Sequence, residues 1–360
     1  MVEWLAGNRI RGTTAERPAL GLASPSVGGW VEVGRTTLGS AGDDIDVTGF
    51  ADKRYYMILM DTQPSGRTQW TQTVGNTTFD TGANYAFRFS VNGATDTATA
   101  NASSLEMGAE INALYTDPKF GVAYIANLSS KEKLMQSLVV AQNAASASTA
   151  PDRDENVSKW TNTSNPIDRF RLHNIETGSF NTGSEVVVLG WDPTDTHTTN
   201  FWEELASVTT TGAGTSISSG TFTAKKYLWV QMYAPSGQSA IVDNHMWNFN
   251  GDSGSNYAVR LSNNGGGEIT DASQSSLSVS RFGTEGDFSN SFIINNSANE
   301  KLMISHAISV GNTLGAGAAP NRNETVGKWA NTSSQITSII INTNADTIPA
   351  GWTIKVWGSD

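Results

Sequence analysis

The chain contains no cysteine among its 360 residues. This absence excludes disulfide bonds, thiolate metal ligands and a cysteine nucleophile. Basic residues are also scarce, with 23 Lys and Arg against 34 Asp and Glu, which gives a formal net charge of −11. Because phosphate neutralisation needs clustered Lys and Arg, the composition predicts no direct binding of DNA or RNA. It gives no reason to expect adhesion to anionic lipid either.

Long apolar runs are missing as well. No stretch approaches the roughly 20 apolar residues of a membrane-spanning helix, and the first residues, MVEWLAGNRIRGTTAERPALG, lack the apolar core of a signal peptide. We therefore expect synthesis in the cytoplasm and no membrane partner. Sustained helical periodicity is nearly absent, whereas Gly, Ser, Thr and Asn are abundant. This balance predicts an all-β fold of short strands joined by polar turns.

The sequence contains an internal duplication. The stretch NYAFRFSVNG from Asn84 matches NYAVRLSNNG from Asn256, and APDRDENVSKWTNTS from Ala150 matches APNRNETVGKWANTS from Ala319. Shorter matches include WVEVGRTT with WEELASVT and EKLM with EKLM. We therefore expect four regions. They are an N-terminal arm at 1–29, a first repeat at 30–193, a linker at 194–199 and a second repeat at 200–360.

Within each repeat, apolar residues alternate with a period of two, as in Phe170 and Leu172, and in Ile339 and Ile341. This alternation predicts a two-sheet sandwich. The repeat length favours an eight-stranded jelly roll over the shorter immunoglobulin-type domain. The predicted fold class is all-β, with two tandem jelly-roll-like β-sandwich domains. For residues 155–160 and their twin we expect one helical turn.

The duplication also predicts a structural fingerprint, in which matched residues hold equivalent places in the two domains. Arg153 with Glu155, and Arg322 with Glu324, are expected to form a structural ion pair or cap. The remaining pairs of the fingerprint are Trp30 with Trp202, Arg88 with Arg260, and Trp160 with Trp329.

Two short motifs suggest hydrolases. Gly-Asp-Ser-Gly at 251–254 matches the tetrapeptide around the nucleophile of chymotrypsin-like proteases, but a serine nucleophile needs an oriented histidine base. The four histidines are not duplicated. Asp80 and Asp252, each in an Asp-Thr/Ser-Gly motif, are related as the two carboxylates of an aspartic protease would be. Their polar flanks favour an ordinary turn. A two-lobed aspartic hydrolase stays a remote alternative, and we expect no enzyme and no catalytic residues.

Metal and cofactor sites receive little support. Asp152-Arg-Asp-Glu155 could supply oxygen ligands to calcium, but its twin, Asn321-Arg-Asn-Glu324, keeps only one of the three carboxylates. Trp160 and Trp329 could stack on sugars, yet a tryptophan at the same place in both repeats is more simply explained by packing. The sequence therefore predicts no metal and no cofactor.

The phrases NYAxRxSxNG, EKLM, APxRxExVxKWxNTS and GSEVVVLG resemble repeats in virion structural proteins of marine tailed phages and related environmental viruses. The resemblance covers the chain from Trp30 onward. It implies a virion protein that assembles as a double jelly-roll capsid, decoration or tail-associated subunit. Its expected partners are further copies of itself, as in a trimer with six jelly rolls, other virion proteins and host-surface glycans. The alternative is a lectin-like, carbohydrate-binding adhesion module.

The arm lies outside both repeats and carries Trp4, Leu5 and Ile10. Burying each of the first two side chains would contribute roughly 1.5–3 kcal/mol. This gain favours docking of the arm over a free tail, and a clasp on a neighbouring subunit is the expected role.

Deleting residues 2–28 should therefore leave folded monomers that no longer assemble, because the clasp is lost. Size-exclusion chromatography with light scattering of the full and shortened chains would measure this. Equal assembly of both chains would show that the arm is only a tail.

Overall fold

The structure, a computed structural model, describes residues 29–107, 116–193, 195, 200–235, 245–280, 286–310, 315–343 and 347–360. It also describes the backbone of β1 (Glu3–Leu5) and β2 (Arg9–Arg11), which pair antiparallel. The arm residues Trp4, Leu5 and Ile10 fall in these strands. Their side chains lie outside the described residues, so docking of the arm stays a prediction.

The chain folds into two compact units. One comprises residues 1–141 and 153–203, and the other comprises residues 142–152 and 204–360. The division differs from the sequence repeats at residues 200–203, which belong to the first unit, and more widely at residues 142–152. Residues 142–152 belong to the first repeat in sequence and to the second unit in space.

The first unit is a sandwich of two antiparallel sheets. Over the described residues, its large sheet has eight strands in the order β3-β15-β5-β11-β12-β13-β8-β9, and its small sheet has the order β10-β6-β14-β4, with β7 paired to β6. The strands are β3 (Val31–Thr37), β4 (Asp44–Thr48), β5 (Tyr55–Thr62), β6 (Trp70–Asn76), β7 (Thr78–Phe79), β8 (Tyr85–Val91), β9 (Thr97–Ala102), β10 (Leu105–Met107), β11 (Lys119–Ala126), β12 (Lys133–Ala141), β13 (Asp152–Trp160), β14 (Arg169–Asn174) and β15 (Glu185–Trp191).

The second unit repeats this topology, except that β7 has no counterpart among its described strands. In its described part, the large sheet has the order β16-β27-β18-β23-β24-β25-β20-β21 and the small sheet the order β17-β26-β19-β22. The strands are β16 (Glu203–Thr209), β17 (Ser216–Ser218), β18 (Tyr227–Ala234), β19 (His245–Phe249), β20 (Tyr257–Asn263), β21 (Ile269–Gln274), β22 (Leu277–Ser280), β23 (Asp287–Ile294), β24 (Lys301–Ser309), β25 (Asn321–Trp329), β26 (Ile339–Thr343) and β27 (Thr353–Ser359).

The prediction of an all-β fold with two tandem β-sandwich domains is confirmed. Two details were wrong. Eight strands make up the large sheet alone, since each small sheet adds at least four more within the described residues. The expected helical turn at residues 155–160 is strand β13, and its twin is strand β25. Both strands lie inside their sheets, with a neighbouring strand on each side. The backbone N–H and C=O groups therefore pair with these neighbours and not with each other in a helical turn.

Each core lies between the two sheets of its unit. In the first unit Trp70, Phe170 and Leu172 of the small sheet pack with Ile58 and Val188 of the large sheet, and all are buried. The second unit has its own cluster of the same kind, which includes Trp247, Ile339, Ile341, Val230 and Val356. The period-two alternation read from the sequence thus matches the buried faces of β14 and β26. Among the described residues, no helix is long and apolar enough to cross a membrane.

A buried lysine joins two of the duplicated phrases in each unit. Lys301, in the phrase EKLM, donates from Nζ to the Asn331 carbonyl at 2.7 Å and lies 5.6 Å from the Trp329 ring centroid. Lys133 does the same with Asn162, at 2.7 Å, and with the Trp160 ring, at 5.3 Å. The phrase KWxNTS supplies both partners. The two duplicated phrases therefore pack against each other in each unit.

A further buried lysine is found only in the first repeat, since the second repeat has aspartate at that position. Lys119 lies on the core side of β11 with 1% of its surface exposed. Its Nζ donates to the Thr68 carbonyl at 2.6 Å. Burial lowers the pKa of Lys119 to about 8, against an opposing effect of Asp117 and Asp154. The unfolded chain thus binds this proton more tightly than the folded chain, and stability should rise with pH above about 8.

Lys119→Met provides the test. Between pH 7 and pH 9.5 the free energy of unfolding of the wild type should rise relative to the variant by about 2 kcal/mol, from the difference between the two pKa values. Urea unfolding at both pH values measures it. Lys159→Met, which removes an exposed amine, is the control. Parallel pH profiles for the wild type and Lys119→Met would contradict the burial of a shifted lysine.

Candidate functional site

The two Asp-Thr/Ser-Gly motifs form the same closed turn. The carboxylate of Asp80 accepts hydrogen bonds from the Gly82 amide at 2.9 Å and from the Asn84 side chain at 2.9 and 3.0 Å. Its second oxygen accepts the indole N–H of Trp160 at 2.8 Å. The next residue, Tyr85, turns into the core and donates from its hydroxyl to the Asp80 carbonyl at 2.8 Å. One aspartate thus fixes the turn and orients a core tryptophan.

Asp252 repeats this arrangement in the second unit. It accepts from the Gly254 amide at 2.8 Å, from Asn256 at 2.9 and 3.2 Å, and from the indole of Trp329 at 2.7 Å. Burial alone would raise the pKa of Asp252, but the hydrogen bonds from Trp329, Gly254 and Asn256 outweigh it and lower the pKa. Asp80 is shifted in the same direction for the same reasons. These partners are all donors, and they favour a structural turn over the proton-sharing dyad of an aspartic hydrolase.

In the second unit a histidine, a serine and an aspartate lie together, but the serine is Ser280 and not Ser253 of the Gly-Asp-Ser-Gly motif. His245 is buried in the second unit, with Nδ1 3.3 Å from Oδ2 of Asp287. The hydroxyl of Ser280 lies 2.5 Å from the same carboxylate oxygen. In a catalytic triad the histidine stands between the serine and the carboxylate. Here the serine contacts the carboxylate, so the group resembles a buried polar cluster.

The remaining fingerprint residues have structural positions. Trp30 and Trp202 are buried immediately before β3 and β16. The expected ion pairs are present, with Arg153 Nη1 at 2.5 Å from Glu155 Oε1 and Arg322 Nε at 3.0 Å from Glu324 Oε1. Across the described residues, no group of three or more His, Asp or Glu side chains is placed to hold a metal ion.

The units differ on the outer face of the large sheet, the face turned away from the small sheet. Leu134 is 60% exposed, whereas its counterpart Leu302 is 2% exposed. Val157 is 53% exposed, whereas Val326 is 1% exposed. These pairs hold the same side-chain type at the same place in the same topology. The difference therefore arises from what lies on the sheet and not from the sheet itself.

In the first unit the outer face forms a pocket of about 720 Å³. We call this surface the open face and define it by its lining residues Trp30, Tyr55, Tyr124, Leu134, Val157 and Trp191. Tyr55 and Trp191 stack with ring centroids 5.3 Å apart. A concave surface rich in aromatic and aliphatic side chains is typical of a binding site.

In the second unit residues 142–152 lie against the corresponding face. The ammonium of Lys328 donates to the carbonyls of Gln142 and Ala144 at 2.9 and 2.7 Å. Lys328 is paired with Leu302 in the sheet register, and Arg260 with Val326. The segment therefore contacts the two strand pairs whose apolar residues are buried.

Arg260 contacts this segment through two of its nitrogen atoms. Its Nε donates to the Pro151 carbonyl at 2.8 Å and its Nη2 lies 3.1 Å from the carboxylate of Asp152. The counterpart in the first unit, Arg88, is more than half exposed and lies 3.6 Å from an equally exposed Asp96. The fingerprint pair Arg88 and Arg260 thus occupies equivalent positions with different partners.

The open face was missed in the sequence because it depends on a segment distant along the chain. The outward positions of the two repeats give no consistent signal. The second repeat has Ile304 in place of Gln136, but it has Gln231 in place of Leu59 and Asn290 in place of Val122. Residue type alone therefore does not identify the open face.

No family model matches the chain, and no curated protein matches it. Domains LG4-5 of the mouse laminin alpha1 chain align over 93% of this chain and 92% of their own, at 10% identity and a TM-score of 0.19. The attachment invasion locus protein Ail of Yersinia pestis aligns over 73% and 97%, at 7% identity and a TM-score of 0.13. Infectious bursal virus derived T=1 particles align over 95% and 81%, at 10% identity and a TM-score of 0.11. Likenesses this weak carry no argument about fold or function.

The aspartate turn generates a prediction. Asp252→Asn should destabilise the second unit at pH 7 by about 1–3 kcal/mol, because hydrogen bonds to a charged acceptor are lost. The contribution of the carboxylate is fully present above the unfolded pKa of 3.8 and is lost as the pH falls through the lower folded pKa. The difference from the wild type should therefore shrink at acid pH.

Urea unfolding followed by tryptophan fluorescence at pH 7 and pH 3 measures this effect. Asp96→Asn, at an exposed carboxylate, is the matched control and should change stability little at either pH. An equal loss for Asp252→Asn at both pH values would show that the charge does not matter.

Proposed function

We propose that the chain is an architectural protein that assembles with copies of itself and forms part of a virion. The observation that carries this proposal is the open face, since its counterpart in the second unit is buried. A contiguous apolar surface left in water marks an interaction site more often than a neutral feature. The tandem sandwich offers a rigid scaffold for such contacts.

The virion setting comes from the resemblance of the repeat phrases to phage structural proteins, and the geometry is compatible with it. A capsid subunit of the double jelly-roll type, a decoration subunit and a tail-associated subunit would all use the open face in the same way. In the capsid arrangement three chains place six sandwiches in a ring, by analogy at the level of the fold. The trimer is therefore the oligomer we expect.

The turn geometry supports a structural role over a hydrolytic one. Asp80 and Asp252 are each held by fixed donors, and each orients a buried tryptophan of its own unit. Because these donors already occupy the carboxylate oxygens, neither aspartate is placed to accept a proton from an attacking water molecule. Acid proteolysis that is blocked by pepstatin would overturn the proposal that the chain is not an enzyme.

A second candidate function is glycan binding, which the aromatic lining of the open face favours. Tyr55 and Trp191 stack beside Trp30 and could receive a sugar ring. In that case the open face would stay exposed in the working protein. A glycan array with the wild type and with Trp191→Ala would detect it, and specific binding lost in the variant would favour the adhesion module.

The assembly proposal is tested by Val157→Asp. The wild type should form closed symmetric oligomers in native mass spectrometry and electron microscopy, with interfaces above about 1,000 Å². A charge placed in a buried apolar contact should weaken association at least about tenfold. The expected readout is a shift from oligomer to monomer at equal concentration, with an unchanged thermal unfolding curve.

Ile175→Asp is the control, because Ile175 is 50% exposed in the same unit and is absent from the lining of the open face. It should assemble like the wild type. Monomers of the wild type at every accessible concentration, or normal assembly of Val157→Asp, would contradict the proposal.

A further inference from the structure

We infer that the part of the open face around Leu134 and Val157, with the adjoining outer-face residues Glu132, Arg88 and Asn101, binds residues 315–320 of a second copy, in the way that the corresponding part of the second unit binds residues 142–152. This inference rests on the proposed assembly function and names its partner segment. The sequence repeat relates residues 142–152 to residues 311–321. One of the two equivalent segments is thus already seated on a sheet face, and the other has an equivalent face to occupy.

Residues 315–320 are free to make this contact, since all six are exposed. Their sequence, GAGAAP, resembles SASTAP at 146–151 in its small side chains and final proline. The backbone is similar at the first residue, because Gly315 has φ of 91° and Ser146 has φ of 83°. A residue that already has the bound backbone conformation loses less entropy on binding.

The first equivalent contact involves a glutamate. In the second unit Glu300 Oε1 accepts a hydrogen bond from the Ser146 amide at 2.5 Å. The counterparts are Glu132, which is exposed and lies 2.9 Å from Lys159, and the amide of Gly315. A neighbouring copy could therefore present its Gly315 amide to Glu132 without rearrangement of the sheet.

The second equivalent contact is between backbone groups. The Ser273 amide donates to the Ala147 carbonyl at 2.7 Å. The counterparts are Asn101 and Ala316. Asn101 and Ser273 have nearly the same backbone conformation, with φ of 55° and 54°. Such a conformation is unusual for residues other than glycine. Because both residues adopt it, the backbone amide of Asn101 is oriented like that of Ser273.

The third contact involves the arginine pair. Arg260 donates to the Pro151 carbonyl and pairs with Asp152. Arg88 would donate in the same way to the Pro320 carbonyl of the neighbour. The carboxylate has no counterpart, since the residue equivalent to Asp152 is Asn321. The contact between copies should therefore lack one ion pair and be weaker than the contact within the chain.

The second unit also carries an apolar patch next to Pro320. Tyr233, Phe288 and Ile308 form one row across three strands, and they are 50%, 39% and 54% exposed. With Pro320 they line a small pocket of about 230 Å³. Their counterparts in the first unit, Asp61, Phe120 and Val140, are buried.

The two exposed surfaces therefore lie at different places on the repeat, one on each unit. A contact between different surfaces of identical chains is heterologous, and it closes into a ring when the rotation per copy permits. This arrangement would give each sandwich the same kind of neighbour, whether that neighbour belongs to the same chain or to the next one.

Asn321→Asp tests the inference as a gain of function. It should restore the missing ion pair by facing Arg88 of the next copy, and it should strengthen association about threefold to tenfold. The side chain would still accept the hydrogen bond from Asn264 that Asn321 accepts at 3.0 Å. Arg88→Glu should weaken association at least about tenfold, and Arg88→Glu with Asn321→Lys should recover much of the loss.

Arg67→Glu is the matched control, because Arg67 is similarly exposed and lies 3.7 Å from an acidic partner, Glu176. Association constants come from light scattering and native mass spectrometry of full-length chains. If the wild type stays monomeric, the proposed function fails and this inference fails with it. If the wild type assembles but Arg88→Glu behaves like Arg67→Glu, or the double variant shows no recovery, the inference alone is wrong.

Discussion

Each large sheet has two faces, and the small sheet of the same unit covers only one of them. The outward positions nevertheless carry many apolar side chains, such as Leu134 and Val157 in the first unit and Leu302 and Val326 in the second. Removing apolar surface from water is the main favourable term in folding and association. Whether a position on this outer face belongs to a core or to an interface therefore depends on which segment of chain covers it.

Because the repeats are similar in sequence, comparing them distinguishes contacts made within one sandwich from contacts made with distant parts of the chain. The aspartate turns and the lysines over the tryptophan rings are alike in both units, because each depends on side chains of its own sandwich. The outer faces differ because they depend on residues far away along the chain. Arg88 and Arg260 illustrate the contrast, since the same residue is solvated in one unit and bound to Pro151 in the other.

Much of the fold followed from local pattern. The alternation in Phe170 and Leu172 identified a strand of a sandwich, and the matched tryptophans proved to be buried in both units. The segment at residues 155–160 was misread because its charged and polar residues obscure the alternation. Its neighbour β8 lies far away in sequence, and the hydrogen bonds that make it a strand come from there.

The sequence by itself determined the duplication, the all-β class and the turn chemistry at Asp80 and Asp252, because these depend on the order of residues and on contacts within one repeat. Only the tertiary structure decided which part of each outer face is open. Leucine and valine occupy positions 134 and 157 as they occupy 302 and 326, so residue type cannot tell a covered surface from a free one. Burial is set by the distant chain that lies on the sheet, here residues 142–152 on the second unit, and no local pattern encodes that contact.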